Sequence, residues 1–372
     1  MAGATYPHIL LVVPRLNIGG AESYVATTAV ALARRGYQVT VASWGGQLAA
    51  RLKDEGIRHY LVPIRLNSYL ASWWLYYIIK KHNISLVHAN SAAAGAAALK
   101  ACRRLNIPLV YTAHGVFGYN RQEMELVHVD KIICVSNFVR QRSLAIGIPP
   151  ERLVTIYNGI DLTKFVPQPE RTLLVRREYG LQATDFVLGI VSRIKNLKAK
   201  GHEDMLQLLA KYSGRQTPNW RLLVVGKGKG EVELKREAKR RGLGDKICFA
   251  GHQTDVPQIM QAMDVVVLPS DFETFGLVLA EAMAMGKPVI TYAVGGTPEA
   301  IEDGVTGYLV PKGDIDVLYE RINRLYTDPQ LRNRMGQNGI TRVRKMFDSE
   351  KMMEQIIAVY DELLPVKPTS NV

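Results

Sequence analysis

Residues 265–290 read VVVLPSDFETFGLVLAEAMAMGKPVI. Val265–Ser270 reads as a strand, and its VVVLP is apolar at successive positions, the mark of a parallel strand covered on both faces. A polar loop follows through Glu273, a helical pattern opens near Phe275–Gly276, and Gly286-Lys287-Pro288 closes it before a second apolar run. Strand, helix and strand in that order make one βαβ unit. The same rhythm continues outward. Further strand-like runs in this half are Val187–Arg193, Arg221–Gly226, Ile247–Gly251 and Pro288–Tyr292. The first half offers His8–Pro14, Gln38–Ser43, Ser85–Asn90, Leu109–His114, Lys131–Ser136 and Val154–Asn158. Helical patterns intervene at Ala21–Arg35, Ala92–Arg104, Asn137–Leu144 and Glu231–Arg241. The pattern predicts an α/β chain with two doubly wound parallel sheets. The rhythm restarts after Asn158–Arg171, which carries Gly159, Pro167 and Pro169, so the junction is placed near residue 165. Domains of 1–165 and 166–346 follow, with a terminal helix and polar tail over 347–372. In such sheets ligands are expected at the carboxyl ends of the strands, facing the cleft between lobes.

Composition agrees with two globular domains: 372 residues, 47% hydrophobic and 22% charged. This excludes a disordered, collagen-like or disulfide-dense chain. Cys102, Cys134 and Cys248 are widely spaced, and Cys134 and Cys248 sit in apolar runs as small core residues, which suits a reducing, cytosolic setting. The longest strongly apolar stretch, Tyr69 to Ile79, is broken by Ser72 and is too short to cross a bilayer. The N-terminal MAGATYPHILLVVPRL lacks a basic leader and reads as a first strand. Net charge is +13, and residues 1–163 hold 17 Lys and Arg against 8 Asp and Glu. That excess suits an anionic partner, a lipid surface, a phosphorylated glycan or nucleic acid, or else plain solubility. No RNA-recognition motif is present, so nucleic acid is not expected as a partner.

Three segments carry chemistry. Gly19-Gly20-Ala21-Glu22 opens a helix after the first strand, where backbone N–H groups can approach an anion or a sugar hydroxyl. It is not the G-x-G-x-x-G of a dinucleotide site, which argues against a two-lobed oxidoreductase. At the second segment, the N–H groups of Phe275, Gly276 and Leu277 lie at a predicted helix tip where a phosphate can sit. Glu273 in the preceding loop suits sugar hydroxyls, and Glu281 inside the helix suits a ribose diol. At the third, Ser192-Arg193 ends the first strand of the second lobe and Lys200-Gly201 starts the next helix, so that both cations can clamp a diphosphate. Gly226-Lys227-Gly228 lacks the ending of an ATP-hydrolysing phosphate loop.

Over nearly its whole length the chain resembles the retaining GT-B glycosyltransferases of family 4. The carrying residues are GGAE at 19–22, His114 after a strand, NGID at 158–161, and Arg193 with Lys200-Gly201. The most specific are the E-x7-E pair Glu273 and Glu281 with Gly295-Gly296-Thr297-Pro298-Glu299. The resemblance implies two Rossmann-like domains facing a central cleft, the terminal helix of 347–372 packing on the first. It implies acceptor binding by the first domain and a nucleotide-diphospho-sugar in the second, with UDP favoured, no further cofactor and no metal. Asp314-Ile-Asp316 matches a metal-binding Asp-x-Asp but lies at a predicted helix start, where capping accounts for it. By the resemblance His114, Arg193, Lys200 and Glu273 are catalytic. Gly19, Gly20, Arg193, Lys200, Glu273, Phe275, Gly276, Leu277 and Glu281 hold the donor. The spacing in RIKNLKAKG is one residue longer than the family's, which leaves Lys198 as an alternative to Lys200.

On the acceptor side, YLASWWLYYIIKK (69–81) combines aromatics with a basic end. It reads either as a helix covering the sheet or as an interfacial element aided by Arg58, Arg65, Arg103 and Arg104. The expectation is a glycan acceptor, lipid-linked or of lipopolysaccharide type, at the inner face of the cytoplasmic membrane, with peripheral contact to anionic lipid. A soluble glycoside or disaccharide product is the alternative, and a non-catalytic sugar- or nucleic-acid-binding protein the remaining one.

Overall fold

Every strand pairing is parallel, so within each sheet all carboxyl ends face one way. The computed structural model describes residues 6–17, 19–116, 124–212 and 219–364. The polar tail beyond 364 lies outside them. The chain divides into two units, Met1–Asn158 with Glu350–Val372, and Gly159–Ser349. The division thus falls at Asn158/Gly159, ahead of residue 165, because Ile160 already bonds to Phe347 and bridges to Asp348 in the second unit.

The first unit runs β1 (His8–Val12), α1 (Gly20–Arg34), β2 (Gln38–Ser43), α2 (Gln47–Asp54), β3 (Arg58–Leu61), α3 (Ser68–Lys81), β4 (Leu86–Ala89), α4 (Ala92–Leu105), β5 (Leu109–Ala113), β6 (Lys131–Cys134), α5 (Asn137–Ala145) and β7 (Leu153–Thr155). Its seven strands take the order β3-β2-β1-β4-β5-β6-β7. Central β1 is buried at every position, as a strand with helices on both faces must be. Edge strand β3, Arg-His-Tyr-Leu, is only half-buried and therefore polar, which is why the apolar runs do not reveal it.

The second unit runs α6 (Thr172–Glu178), β8 (Phe186–Val191), α7 (His202–Tyr212), β9 (Trp220–Val225), α8 (Glu231–Arg240), β10 (Ile247–Gly251), α9 (Val256–Met260), β11 (Val265–Leu268), α10 (Leu277–Ala284), β12 (Val289–Tyr292), α11 (Thr297–Ala300), β13 (Gly307–Val310), α12 (Ile315–Thr327) and α13 (Pro329–Met346). Its six strands lie in the order β10-β9-β8-β11-β12-β13. β13 is a second strand the sequence reading lacks. Only Gly fits at its start, because a Cβ on Gly307 would meet the Val289 carbonyl oxygen at 2.1 Å.

The last helix, α14 (Ser349–Leu363), sends Met352, Met353, Ile356 and Tyr360 into the core of the first unit. There the fully buried His88 carries Tyr360 Oη at 2.6 Å from Nδ1 and Thr112 Oγ1 at 2.6 Å from Nε2. Burial pushes the His88 pKa down to about 3, so the ring is neutral, with one donor and one acceptor nitrogen for two hydroxyls. Removing one hydroxyl strands a buried polar atom. Tyr360→Phe is therefore expected to lower stability by about 1–3 kcal/mol in equilibrium urea unfolding, and a shift within error would show that the ring tolerates an unpaired nitrogen.

Candidate active site

β8 and β11 are neighbours, so the loops at their carboxyl ends emerge side by side. β8 leads into Ser192-Arg193, and β11 leads into Pro269-Ser270. Gly201 joins them. Its φ is +74°, and a Cβ there would stand 2.2 Å from the Pro269 carbonyl oxygen, so only glycine allows the approach. The result is that Lys200 Nζ lies 2.5 Å from Glu273 Oε1, with Ser270 Oγ donating to the same oxygen at 2.9 Å. The Glu273 side chain is 12% exposed and that of Lys200 32%, so the pair is partly shielded from water. Lys198, by contrast, is exposed. Of the two candidate lysines, Lys200 is the one whose ammonium reaches Glu273.

Arg193 is exposed on a loop clamped from behind. Ile194 N donates to Lys227 O at 3.1 Å, and Gly230 N to Ile194 O at 2.9 Å. Cβ atoms on Gly226 and Gly228 would fall 1.9 and 2.1 Å from the carbonyl oxygens of Ser192 and Ile194. The Gly226-Lys227-Gly228 turn is thus a backing for the Arg193 loop.

The helix tip is equally fixed. α10 begins at Leu277, with Gly276 as its N-cap in the left-handed region at φ +87°. The Phe275 ring is buried edge-on against Phe347, with ring centroids 5.1 Å apart. Gly296 N donates to Glu273 O at 3.0 Å, and a Cβ on Gly296 would meet Thr274 O at 2.1 Å. That packing gives the Gly295-Gly296 pair its place in the pattern. The N–H groups of Gly276 and Leu277 precede the first intrahelical acceptors and carry the positive end of the helix dipole. One turn further on, Glu281 is desolvated, which pushes its carboxyl up to about 7. Among the described residues no side chain is paired with it.

His114 and Gly19-Gly20 belong to the first unit. Gly19 is the N-cap of α1, accepting from Ser23 N at 2.8 Å, and Gly20 is the first residue of that helix. His114 follows β5, with its ring edge-on to Tyr24 at 4.8 Å between centroids. Its Nε2 lies 3.3 Å from Asn90 Oδ1, while Asn90 Nδ2 donates to His88 O at 3.2 Å. With the amide nitrogen so engaged, Oδ1 is the acceptor and His114 carries a proton on Nε2. Burial lowers the His114 pKa to about 4, so the ring is neutral at physiological pH.

Sequence reasoning assigned no role to Ser270, Asn90 or His202. The first two stand just past strand ends, a position the fold reserves for ligand chemistry, and that was the available signal. His202 follows Gly201, is fully buried with Nε2 3.5 Å from Ser192 Oγ, and among the described residues has no partner for Nδ1. Asp314 Oδ1 caps α12 by accepting from Val317 N at 3.0 Å, and Asp316 pairs with Lys211 and Tyr212. Among the described residues no cluster of three or more His, Cys, Asp or Glu could hold a metal.

Residues 174–342 match the family model for glycosyl transferases group 1, and residues 18–164 that for glycosyltransferase family 4. A D-inositol 3-phosphate glycosyltransferase of Mycobacteroides abscessus is 31% identical over 79% of this chain and 74% of its own length. The chain belongs to glycosyltransferase family 4. N-acetyl-alpha-D-glucosaminyl L-malate synthase of Bacillus anthracis, 27% identical, covers 94% of this chain and 95% of its own. Among solved structures, Anabaena HepE in complex with UDP-glucose superposes with a TM-score of 0.86 at 26% identity, over 96% of this chain and 100% of that one. Both sheets are thus those of a GT-B glycosyltransferase.

In this glycosyltransferase the desolvated Glu281 has a pH signature. Its folded pKa, about 7, lies above the 4.5 of an unfolded chain, so its protonated form costs nothing below pH 4.5. Stability is lost as pH rises from there through 7. Glu281→Gln is expected to raise the melting free energy by roughly 1–3 kcal/mol above pH 7 and to change little near pH 4. Thermal unfolding scans across that range check it, and equal gains at both ends would contradict it.

Proposed function

We propose that this enzyme transfers a hexosyl group from a UDP-sugar to a hydroxyl of a glycan acceptor, with retention at the anomeric carbon and without a metal. The observation that carries this reading is the Lys200–Glu273 pair, 2.5 Å apart at the carboxyl ends of adjacent parallel strands. Bond cleavage at the anomeric carbon leaves negative charge on the diphosphate. Arg193, Lys200 and the N–H groups at the tip of α10 offer fixed positive charge for it, the role a metal ion plays elsewhere. Glu273 accepts from the hydroxyls of the transferred sugar. Glu281 accepts from the ribose diol, whose donors would offset the desolvation of its carboxylate. Neutral His114, with its proton on Nε2, and the Gly19-Gly20 turn are proposed as further donor contacts from the first unit. The UDP assignment is supported by HepE, solved with UDP-glucose.

For the acceptor we favour a lipid-linked or lipopolysaccharide-type glycan, used at the inner face of the cytoplasmic membrane. It is supported by the positive excess of residues 1–163. A soluble glycoside is the second reading, favoured by the names of the curated relatives, whose malate and inositol 3-phosphate are small anions.

Calorimetry with UDP, GDP and ADP should give the tightest binding for UDP. Arg193→Ala and Lys200→Ala should each weaken it by about ten- to a hundredfold, the range for a charge-assisted hydrogen bond. Glu273→Gln should retain UDP binding and lose sugar transfer. The anomeric configuration of the product, read by NMR, tests retention. Unchanged UDP affinity in both cation variants would overturn the donor assignment, and transfer only to small soluble acceptors would overturn the lipid-linked one.

A further inference from the structure

The outward face of α3 has no place in the chemistry above. Its inward stripe, Ala71, Leu75, Ile78 and Ile79, is buried at helical spacing. The opposite stripe of a surface helix is ordinarily polar. Here it holds Tyr69, Leu70, Trp73, Trp74 and Tyr77, all exposed, Trp73 at 60% and Tyr69 at 73%. Trp73 stacks on Tyr77 with an interplanar angle of 11°, and Trp74 stands edge-on to both. The rings of Trp73, Trp74 and Tyr77 therefore form one cluster. Cations border it: Lys81 Nζ lies 5.4 Å from the Tyr77 ring centroid and Lys100 Nζ 4.2 Å from that of Tyr69, with Lys80 and Arg65 exposed nearby in sequence. From Gly56 to Gln122 the chain contains eight Lys and Arg and no Asp or Glu.

We propose that this face docks on the headgroup interface of an anionic phospholipid bilayer. Three features select that occupant. Trp and Tyr favour the headgroup level, with an apolar ring body and a polar tip. Lysines at the rim can lay their methylenes along the rings and keep their ammonium groups among phosphates. The single sign of charge also argues against a second copy of this chain. A two-fold interface apposes a patch to itself, and a stretch with no acid has nothing to pair its cations with. No described helix is long and apolar enough to cross a membrane, so α3 would lie in the plane of the surface. The proposal deepens the lipid-linked acceptor reading, yet the contact is a property of the surface and needs no glycosyl transfer to be measured.

The test is co-sedimentation of the full chain with vesicles of phosphatidylcholine alone or mixed with phosphatidylglycerol, at low and raised salt, alongside light scattering without lipid. The wild type should bind the anionic vesicles only, with a blue shift in tryptophan emission, and release as salt screens the charges. Lys80→Gln with Lys81→Gln should weaken partitioning roughly thirtyfold. Trp73→Ser with Trp74→Ser should weaken it about tenfold or more and remove the blue shift. Because these side chains are exposed, both double variants should keep the wild-type melting temperature and UDP affinity. Equal partitioning of variants and wild type, binding indifferent to anionic lipid, or a lipid-free dimer that the tryptophan variant splits would each overturn the proposal. Failure of UDP binding in the wild type would overturn the donor reading alone.

Discussion

An ammonium and a carboxylate 2.5 Å apart, Lys200 and Glu273, join the loops after β8 and β11 in the second unit. Neither would sit comfortably alone in that position. A partly desolvated carboxylate is stable when a cation and a hydroxyl meet it, and Lys200 and Ser270 supply both on one oxygen. The pair also sets the electrostatics. In the donor reading proposed above, a diphosphate would meet a lysine this pair already holds in place, so little reorganisation would be needed when charge develops.

The surrounding backbone exists to hold that pair in register. Three close approaches do this, each where a Cβ would collide with a carbonyl: Gly201 on Pro269, Gly228 on Ile194 and Gly296 on Thr274. They tie the loops after β8, β9, β11 and β12 into one set. Parallel strands bring these loops to one edge, and the glycines decide how closely they pack. Motifs such as Gly226-Lys227-Gly228 and Gly295-Gly296 therefore shape the walls of the site, and their chemistry is steric.

Much of this is legible in the sequence because central parallel strands are covered on both faces and must be apolar throughout. Val265–Leu268 and His8–Val12 announce themselves for that reason. Edge strand β3 does not, since Arg58 and Leu61 are exposed and His59 and Tyr60 half-buried, a composition shared with any loop. Glu273, Arg193 and Lys200 stand out as candidates because charged residues at strand ends and helix starts are conspicuous, and Glu281 because it is a carboxylate inside an otherwise apolar helix. Which of Lys198 and Lys200 reaches Glu273 could not be read by counting. It depends on the left-handed turn at Gly201, which the one-dimensional spacing does not contain. Ser270 and Asn90 were invisible for a related reason. They matter through what they touch, Glu273 and His114, and both contacts join residues brought together by the fold.

His88 in the first unit and Glu281 in the second differ in how their polar atoms are met. In the first unit His88, Thr112 and Tyr360 satisfy one another, so neutral imidazole and hydroxyls close a network that pins α14 to the sheet. In the second, Glu281 is desolvated with its carboxyl pushed up to about 7 and has no side-chain partner among the described residues. A structural role does not explain such a group, because an apolar residue of similar shape would be more stable there. The ribose contact proposed above would. Hydroxyl donors from a ribose would stabilise the charged form and draw the pKa down, so nucleotide binding and deprotonation of Glu281 should be linked.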